Sequence, residues 1–393
     1  MKVLYVVSRP LEINASSSVR NMSTINGLLE IGCEVELITT EPDKNHPSYD
    51  KSMSVSGIKT HYIQQGNTEN IARIGRKIKF LTPIKKIIYQ IMMKRNVYDN
   101  LVSAASYIQK IDINLNEFDF IISSSDPKSS HLLTKRLLEL HPEFKGKWIQ
   151  IWGDPFIGDI TFDNTHVNRI KKEEHSLISN ADKIIYVSPL TMLEQQKIYP
   201  DCSSKMTYEP IPYIRTRISN IRNLKIKRPI EIAYCGDYIS SVRNLVPLYE
   251  AVVQSNMYHL TICGNTDLHL KQTPQVTINP RVSRDMVSQI EENADILVHL
   301  SNLKGTQIPG KIYQYAGTNK PILFIMDGDK SLLRDMFGKY RRFSFADNNC
   351  SDICAVLSDI VNGINLDVFN EPVDDFSAKR IASRLVNKNA KNP

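Results

Sequence analysis

The chain alternates short apolar segments with helix-length segments, and this alternation limits its fold more than any other feature. Strand-length apolar runs separated by amphipathic sequence are typical of a parallel sheet covered by helices on both faces. The series is interrupted at Glu209-Pro210-Ile211-Pro212 and begins again at Ile230. The predicted strands are Lys2–Val7, Glu34–Thr39, Phe118–Ser123, Lys147–Trp152 and Lys183–Val187, then Ile230–Cys235, His259–Cys263, Ile296–Leu300 and Ile322–Ile325.

The interruption predicts two domains, because 393 residues exceed what one hydrophobic core usually serves. We expect an α/β fold with two Rossmann-like open parallel-sheet domains, 1–207 and 208–375, facing across a cleft. A C-terminal helix over 376–393 is expected to close back toward the first domain. The predicted helices are Val19–Ile31, Ser130–Leu140, Ile170–Asn180, Leu245–Gln254, Ser283–Asn293, Gly310–Ala316 and Phe376–Asn387.

Composition narrows the class of protein. Hydrophobic residues make up 41% and charged residues 23% of the chain, which excludes a largely disordered protein. No stretch approaches the ~20 apolar residues of a membrane-spanning helix, and the first residues do not form a secretory signal. The six cysteines are scattered, without the spacing of a metal site. We therefore expect a cytoplasmic protein with reduced thiols and no bound metal.

A basic segment between Ile71 and Val97 contains eight Lys or Arg residues and no acid, which accounts for the whole net charge of +7. Apolar residues recur between them at helical spacing, which favours amphipathic helices on an anionic membrane, at about 1 kcal/mol per basic residue. No nucleic-acid-binding fold accompanies the charge, so nucleic acid is not an expected partner. We predict a protein peripheral on the inner face of the cytoplasmic membrane, which it contacts through Arg73, Arg76, Lys77, Lys79, Lys85, Lys86, Lys94 and Arg95.

The strongest local motif lies between Gln307 and Leu323. A Pro309-Gly310 turn leads into a short predicted helix, with Lys311 in its first turn. Unpaired amides, the helix dipole and a lysine at one helix start attract a diphosphate.

This segment resembles the nucleotide-sugar-binding segment of retaining glycosyltransferase family 4, which has the two-domain GT-B fold. The resemblance extends over nearly the whole chain. It implies a hexosyltransferase that acts with retention on a lipid-linked oligosaccharide in bacterial surface-polysaccharide synthesis (O-antigen, capsule or exopolysaccharide). The other matching pieces are Ser16–Arg20, Trp152–Phe156, Asn180–Ser188, Ile232–Asp237 with Arg243, Leu260–Gly264 and Ala294–Val298.

The resemblance also implies roles for individual residues. A nucleotide-diphosphate sugar is the co-substrate, and no cofactor or metal is needed because Arg243 and Lys311 stabilise the leaving diphosphate. Asp154 is expected to contact the acceptor or the donor sugar, and His131 the donor sugar. The catalytic set is thus Asp154, His131, Arg243 and Lys311, and the nucleotide-sugar-binding set is Ser17, Gly236, Asp237, Arg243, Gly264, Ile308, Pro309, Gly310, Lys311 and Gln314.

Without the resemblance, the same residues have simpler explanations. Arg243 and Lys311 would be surface cations, and Asp154 would form an Asp-Pro turn. His131 would be structural, and the serines Ser16–Ser18 would cap a helix.

The chain departs from the family at two positions. Where the family usually has two glutamates eight positions apart, this chain has Thr306 and Gln314. Gln314 can still accept a hydrogen bond from a ribose hydroxyl, but a neutral acceptor is weaker than a carboxylate by about 1 kcal/mol.

Two alternatives to a transferase stay open. The departure at Thr306 and Gln314 leaves room for a non-catalytic protein that binds a nucleotide sugar or a partner glycosyltransferase. A nucleotide-sugar 2-epimerase, which also has two facing α/β domains, is the other alternative. The absence of a G-x-G-x-x-G motif argues against a dehydrogenase.

Overall fold

The computed structural model describes residues 1–65, 97–158, 167–220, 224, 229–364 and 367–387, which form two compact units. The first unit contains Met1–Pro210 and Ala378–Pro393, and the second contains Ile211–Ser377. In the described ranges, no helix combines the length and the apolarity needed to cross a membrane. The predicted membrane-contacting residues Arg73, Arg76, Lys77, Lys79, Lys85, Lys86, Lys94 and Arg95 lie outside the described residues.

A parallel seven-stranded sheet forms the centre of the first unit, in the order β3-β2-β1-β4-β5-β6-β7. The central strands are buried on both faces, as their continuous apolar sequences predict. The strands are β1 (Lys2–Val6), β2 (Glu34–Thr40), β3 (Lys59–Ile63), β4 (Phe120–Ser124), β5 (Lys147–Trp152), β6 (Lys183–Tyr186) and β7 (Met206–Tyr208).

Helices connect these strands, and the last helix of the chain packs on the first. The helices are α1 (Ser16–Glu30), α2 (Ser129–Leu140), α3 (Val167–Ile178), α4 (Pro189–Ile198) and, from the C-terminal segment, α10 (Ala378–Val386). A Cβ placed at Gly27 of α1 would lie 2.1 Å from the carbonyl oxygen of Ala378. This glycine therefore allows α10 to pack directly on the backbone of α1.

The second unit repeats the plan with a six-stranded parallel sheet in the order β10-β9-β8-β11-β12-β13. Its strands are β8 (Ile230–Cys235), β9 (Tyr258–Cys263), β10 (Val276–Asn279), β11 (Ile296–Leu300), β12 (Ile322–Met326) and β13 (Ser344–Asp347). Its helices are α5 (Val246–Val253), α6 (Arg284–Asn293), α7 (Lys311–Ala316), α8 (Lys330–Gly338) and α9 (Cys350–Asn362).

The predicted fold class is confirmed, since both units are Rossmann-like parallel sheets with helices. All nine predicted strands are present, and four others were missed: β3, β7, β10 and β13. Each missed strand stands at an edge of its sheet. Edge strands are partly exposed and carry polar residues, as in Lys59–Ile63, so they lack the continuous apolar run that identified the central strands.

Candidate functional site

Two loops meet at the carboxyl edge of the second sheet. Cys235 and Cys263 end β8 and β9 in register, and Gly236 and Gly264 follow them. A Cβ at Gly264 would lie 2.1 Å from the carbonyl oxygen of Gly236, so only glycine fits there. The amide of Gly236 donates to the carbonyl of Cys263 at 2.8 Å. The loops thus present backbone without side chains, which a phosphate can approach closely.

The guanidinium of Arg243 is fixed against this edge. Its Nη1 donates to the carbonyl of Asp237 at 2.7 Å, and its Nε donates to Asn302 Oδ1 at 2.9 Å. Asn302 Nδ2 in turn donates to the carbonyl of Gln307 at 3.0 Å. Arg243 is therefore linked both to the loop after β8 and to the loop that leads to Ile308, Pro309 and Gly310. A guanidinium held by two hydrogen bonds loses little further freedom when it binds an anion.

The carboxylate of Asp237 has a structural partner. Its Oδ1 accepts from the backbone amide of Asn265 at 2.8 Å, and its Oδ2 lies 3.8 Å from Arg281 Nη1. Asp237 thus ties the loop after β8 to the loop after β9. The structure thus places Gly236, Asp237, Gly264 and Arg243 next to one another at this edge.

Lys311 has a different environment from the one expected. Its Nζ lies 2.5 Å from Oε1 of Glu291 on α6, and Arg217 Nη1 lies 3.0 Å from the other carboxylate oxygen. The Glu291 side chain is only 5% exposed. Burial alone would raise the pKa of Glu291, but Lys311 and Arg217 together hold that pKa below its usual value. Lys311 is thus paired with a buried carboxylate that was not among the predicted site residues.

Both polar atoms of the Gln314 side-chain amide also form hydrogen bonds within the second unit. Its Nε2 donates to the carbonyl of Pro212 at 2.9 Å, and its Oε1 accepts from the amide of Ile214 at 3.2 Å. This pairing needs a donor and an acceptor on one side chain, which glutamine provides and an ionised glutamate does not. The structure therefore gives a physical reason for glutamine where the resembling family has glutamate.

At the turn before α7, Gly310 is the N-cap, and no side chain caps the helix. Ile308 is buried, whereas Pro309 and Gly310 are half-buried. The Oε1 atom of Gln307 is buried without a hydrogen-bond partner among the described residues. The turn thus contains a buried acceptor and uncapped amides, which leaves its polar groups available to a ligand.

In the first unit, Asp154 lies just after β5, half-buried at the carboxyl edge of the sheet. Asp126, which follows β4, is one of its neighbours. Burial opposes ionisation of Asp126, but Lys128, 3.1 Å away, and Arg20 lower its pKa. The edge therefore holds two neighbouring carboxyl groups, and the cations Lys128 and Arg20 favour the ionised form of Asp126.

His131 is buried in the core of the first unit, with no exposed surface. Its Nδ1 is hydrogen-bonded to Ser123 Oγ at 2.8 Å, and its ring lies 4.3 Å from that of Trp152. Burial lowers the pKa of His131 to about 3, so the ring is neutral at neutral pH. In this conformation a sugar cannot touch His131, and the ring supports the end of β5 through Trp152.

The expected capping by the serines at the start of α1 is wrong. The N-cap is Ala15, and no side chain caps this helix. Ser18 Oγ instead donates to the carbonyl of Ile13 at 2.7 Å, and Ser17 Oγ accepts a long hydrogen bond, 3.4 Å, from Arg9 Nη1. The helix begins three residues earlier than predicted, which places the serines inside its first turn.

Within the described residues, one group has the geometry of metal ligands: His175, Asp201 and Cys202. His175 Nε2 lies 2.7 Å from Asp201 Oδ2, an ordinary ion-pair distance. Burial raises the pKa of the Cys202 thiol, which disfavours the thiolate that a metal requires. The hydrogen bond between His175 and Asp201 explains the arrangement without an ion.

Several buried charged residues were not among the predicted site residues, although Arg20 belongs to the matching piece Ser16–Arg20. Glu291 binds Lys311, and Arg20 lies at the edge of the first sheet beside Gly153. Glu174 on α3 accepts from the backbone amides of Phe156 and Ile157, at 2.7 and 3.1 Å. For Glu174 and Glu291 no sequence signal indicated burial, because a charged residue at a predicted helix position has the pattern of a surface residue.

No protein-family model matches the chain, and no curated protein matches it. Among solved structures, HepE from Anabaena, in complex with UDP and glucose, has a TM-score of 0.58 and 10% identity, over 98% of this chain and 95% of that one. A glycosyltransferase from Rickettsia africae has a TM-score of 0.56 and 14% identity, over 98% and 99%. The lipopolysaccharide outer core galactosyltransferase WaaB, in its apo form, has a TM-score of 0.52 and 13% identity, over 98% of each chain. Likeness at such low identity is evidence of fold, and the fold of this chain is that of the GT-B glycosyltransferases.

Proposed function

We propose that this protein is a glycosyltransferase that moves a sugar from a nucleotide-diphosphate sugar to a lipid-linked acceptor in bacterial surface-polysaccharide synthesis. The observation that carries the proposal is the Arg243 guanidinium, held by hydrogen bonds beside the side-chain-free loops at Gly236 and Gly264. The fold supports it, because HepE, of similar fold, has been solved with UDP and glucose.

In this proposal the second unit binds the donor. Arg243 stabilises the charge that grows on the nucleotide diphosphate as the sugar leaves, and a cation already fixed in place does this without reorganisation. The amides at the start of α7 and the backbone at Gly236 and Gly264 receive the remaining phosphate oxygens. Gln314 Oε1 keeps a second lone pair for a ribose hydroxyl. No metal takes part.

Lys311 would help to bind the diphosphate only if its ammonium group were shared between Glu291 and the phosphate oxygens. Its ammonium group has three donors, and one of them donates to Glu291. A diphosphate that approaches the helix start would share this lysine with Glu291, while Arg217 continues to balance the buried carboxylate. The proposed contribution of Lys311 is therefore smaller than that of Arg243.

The acceptor is assigned to the first unit, where Asp154 and its neighbour Asp126 lie at the sheet edge. In the retaining reaction that we propose, the acceptor hydroxyl attacks the face from which the nucleotide leaves, and a donor phosphate oxygen takes its proton. Asp154 would orient the hydroxyl. The basic segment, Ile71 to Val97, would hold the protein at the anionic inner surface of the membrane, where a lipid-linked acceptor is found.

A thermal-shift screen of UDP-, GDP- and other nucleotide sugars tests donor binding. A ligand at 100 times its dissociation constant stabilises the folded protein by about 2.7 kcal/mol, which is easily detected. Arg243→Gln should abolish the shift, and Arg341→Gln, at an exposed arginine paired with Asp367, should leave it unchanged. If no nucleotide sugar stabilises the parent protein, the proposal is wrong.

A second assay separates a transferase from the two alternatives. The accepted donor is incubated with and without a polyprenyl-diphosphate oligosaccharide, and products are identified by mass spectrometry and NMR. A transferase requires the acceptor, and retention is read from the anomeric configuration of the product. Conversion of the sugar without acceptor would indicate a 2-epimerase. Binding without any product would indicate a non-catalytic protein.

A further inference from the structure

Glu174 on α3 is a carboxyl group with no exposed surface, and three hydrogen bonds converge on it. Its Oε1 accepts from the amide of Phe156 at 2.7 Å. Its Oε2 accepts from the amide of Ile157 at 3.1 Å and from the hydroxyl of Tyr199 at 2.8 Å. A carboxyl group is costly to bury unless its oxygens are paired, and here both oxygens are paired. The glutamate therefore links α3 to the backbone of a loop.

That loop follows β5 and carries Asp154. Pro155 separates Asp154 from Phe156, and its ring fixes one of the backbone angles between them. The position of Asp154 therefore depends on where the amides of Phe156 and Ile157 are held. Because Glu174 binds both amides, it helps to determine the position of Asp154.

The two residues bound by Glu174 differ in their other contacts. The Phe156 side chain is buried, with its ring 5.2 Å from that of Tyr98 and 6.2 Å from that of Trp152. Ile157 is half-buried, and its carbonyl accepts from Gln195 Nε2 at 2.7 Å. Aromatic packing would keep Phe156 in place if its amide bond weakened. Ile157 depends more on its backbone hydrogen bonds, so this end of the loop is the more sensitive to Glu174.

The charge of Glu174 changes near neutral pH. Burial raises the pKa of this carboxyl to about 7, although its three hydrogen bonds and the nearby Lys128 favour the ionised form. Tyr199 and Tyr186 also face it, and burial raises the pKa of both hydroxyls, which leaves them neutral. The charged neighbours on its own helix have other partners: Glu173 accepts from the hydroxyl of Tyr98 at 3.3 Å, and His175 pairs with Asp201 at 2.7 Å.

The hydrogen bonds indicate which oxygen takes the proton. A proton on Oε1 would meet a second donor, the amide of Phe156. A proton on Oε2 can be donated to Tyr199, because the tyrosine hydroxyl can turn its own hydrogen to the carbonyl of Lys171, 3.3 Å away. Phe156 then keeps the carbonyl oxygen of the acid. Ile157 is left with a hydroxyl oxygen, which is a weaker acceptor than a carboxylate.

We propose that Glu174 positions the loop that carries Asp154, and that protonation of its Oε2 releases the amide of Ile157 and loosens this loop. The link to acceptor binding rests on the proposed function, in which Asp154 orients the acceptor hydroxyl. Glu174 itself touches neither sugar nor nucleotide and acts through the loop backbone. Acceptor binding should therefore weaken as the pH falls below about 7, while donor binding by the second unit should not depend on this residue.

Amide hydrogen exchange of the full chain, followed by mass spectrometry, measures the loop directly. The protection of a peptide that contains residues 153–158 is compared at about pH 5.5 and about pH 8.5, after correction for the intrinsic pH dependence of exchange. We expect the parent loop to lose protection about threefold or more at the lower pH. The raised pKa of Glu174 makes the folded state more stable there, so global unfolding would change protection in the opposite direction.

Glu174→Gln is a permanent mimic of the protonated form, because its amide oxygen can accept from Phe156 while its Nε2 donates to Tyr199. Its loop should be as weakly protected at both pH values as the parent loop is at the lower one. Glu139→Gln, at an exposed glutamate on α2, is the matched control and should reproduce the parent.

Equal protection of the parent loop at the two pH values would overturn the proposal, and so would a Glu174→Gln loop as protected as the parent loop at the higher pH. The parent comparison decides alone should the variant fail to fold.

Kinetics with a polyprenyl-diphosphate oligosaccharide as acceptor test the functional consequence. At about pH 8.5, Glu174→Gln should raise KM for the acceptor about threefold or more, with KM for the donor and the affinity for UDP unchanged. An unchanged acceptor KM in a variant whose loop has lost protection would overturn the link to acceptor binding. A parent protein that transfers no sugar would contradict the proposed function, and hydrogen exchange would still decide whether Glu174 holds the loop.

Discussion

Lys311 Nζ lies 2.5 Å from Oε1 of Glu291. One of the two cations predicted to bind the donor diphosphate is therefore paired with a carboxylate buried in the same unit. Arg217 binds the other oxygen at 3.0 Å. The three groups form a compact network of two cations and one anion, with one net positive charge. A lysine in such a network has both a structural role and a residual capacity to bind an anion.

Glu291→Gln should separate these two roles. Without the carboxylate, Arg217 and Lys311 lose their partner, and the free energy of unfolding should fall by about 2 kcal/mol, since both cations are partly exposed. Freed from Glu291, Lys311 should bind a nucleotide diphosphate several-fold more tightly. Urea unfolding and UDP titration measure the two effects, with Glu292→Gln, at the exposed neighbour, as the control. A variant with weaker UDP binding would show that Lys311 does not take part in donor binding.

Gln314→Glu should destabilise the second unit at neutral pH. The carboxylate cannot donate to the Pro212 carbonyl, and the resulting repulsion should cost about 1–3 kcal/mol. This repulsion should raise the pKa of the new glutamate in the folded state, so the variant loses stability as pH rises above about 4.3 and approaches the parent below it. Urea unfolding at pH 4 and pH 7 measures the change. An equal deficit at both values would mean that the side chain acts through packing alone.

Gly264→Ala should disturb the candidate donor site without removing any charge. The new methyl group would meet the Gly236 carbonyl at 2.1 Å, and the loops would have to separate, at about 1–3 kcal/mol of stability. The carbonyl of Asp237, which holds Arg243, lies in the displaced loop, so nucleotide affinity should fall together with stability. Gly338→Ala, where a Cβ meets nothing within 4 Å, is the control and should be neutral or slightly stabilising. Unchanged nucleotide affinity in Gly264→Ala would place the donor elsewhere.

The sequence predicted those strands and helices that can be identified from hydrophobic periodicity or from a continuous run of apolar residues. The buried strands from Lys147 to Trp152 and from Ile296 to Leu300 were identified to the residue, because a strand buried on both faces is a continuous apolar run. The start of α1 was misplaced because Ser16–Ser18 have the composition of a cap, while the chain enters the helix at Ala15. Local composition predicts where a cap is possible, and tertiary contacts such as that of Ser18 with Ile13 decide where it forms.

Less of the candidate site was predictable. Gly236, Gly264 and Arg243 were grouped by resemblance and are in contact in the fold. The partners of Lys311 and Gln314 were not predictable, because Glu291 and Pro212 are distant in sequence and nothing in their local pattern indicates pairing. Which charged residues become buried and paired depends on how several helices and strands pack together. The local sequence pattern does not contain that information.

Glu174 should make the stability of the first unit depend on pH between about 4.5 and 7. Burial raises the pKa of this carboxyl to about 7 in the folded state, although Phe156, Ile157 and Tyr199 donate hydrogen bonds to it. Because the unfolded chain releases its proton near pH 4.5 and the folded chain near pH 7, folding retains a proton in that window, and stability falls as pH rises through it, by about 3 kcal/mol in all. Glu174→Gln cannot ionise, so its free energy of unfolding, followed by urea titration from pH 4.5 to pH 8, should lack this decline. Glu139→Gln, at an exposed glutamate, should reproduce the parent profile, and a Glu174→Gln profile parallel to the parent would mean that the buried carboxyl ionises at its ordinary pH.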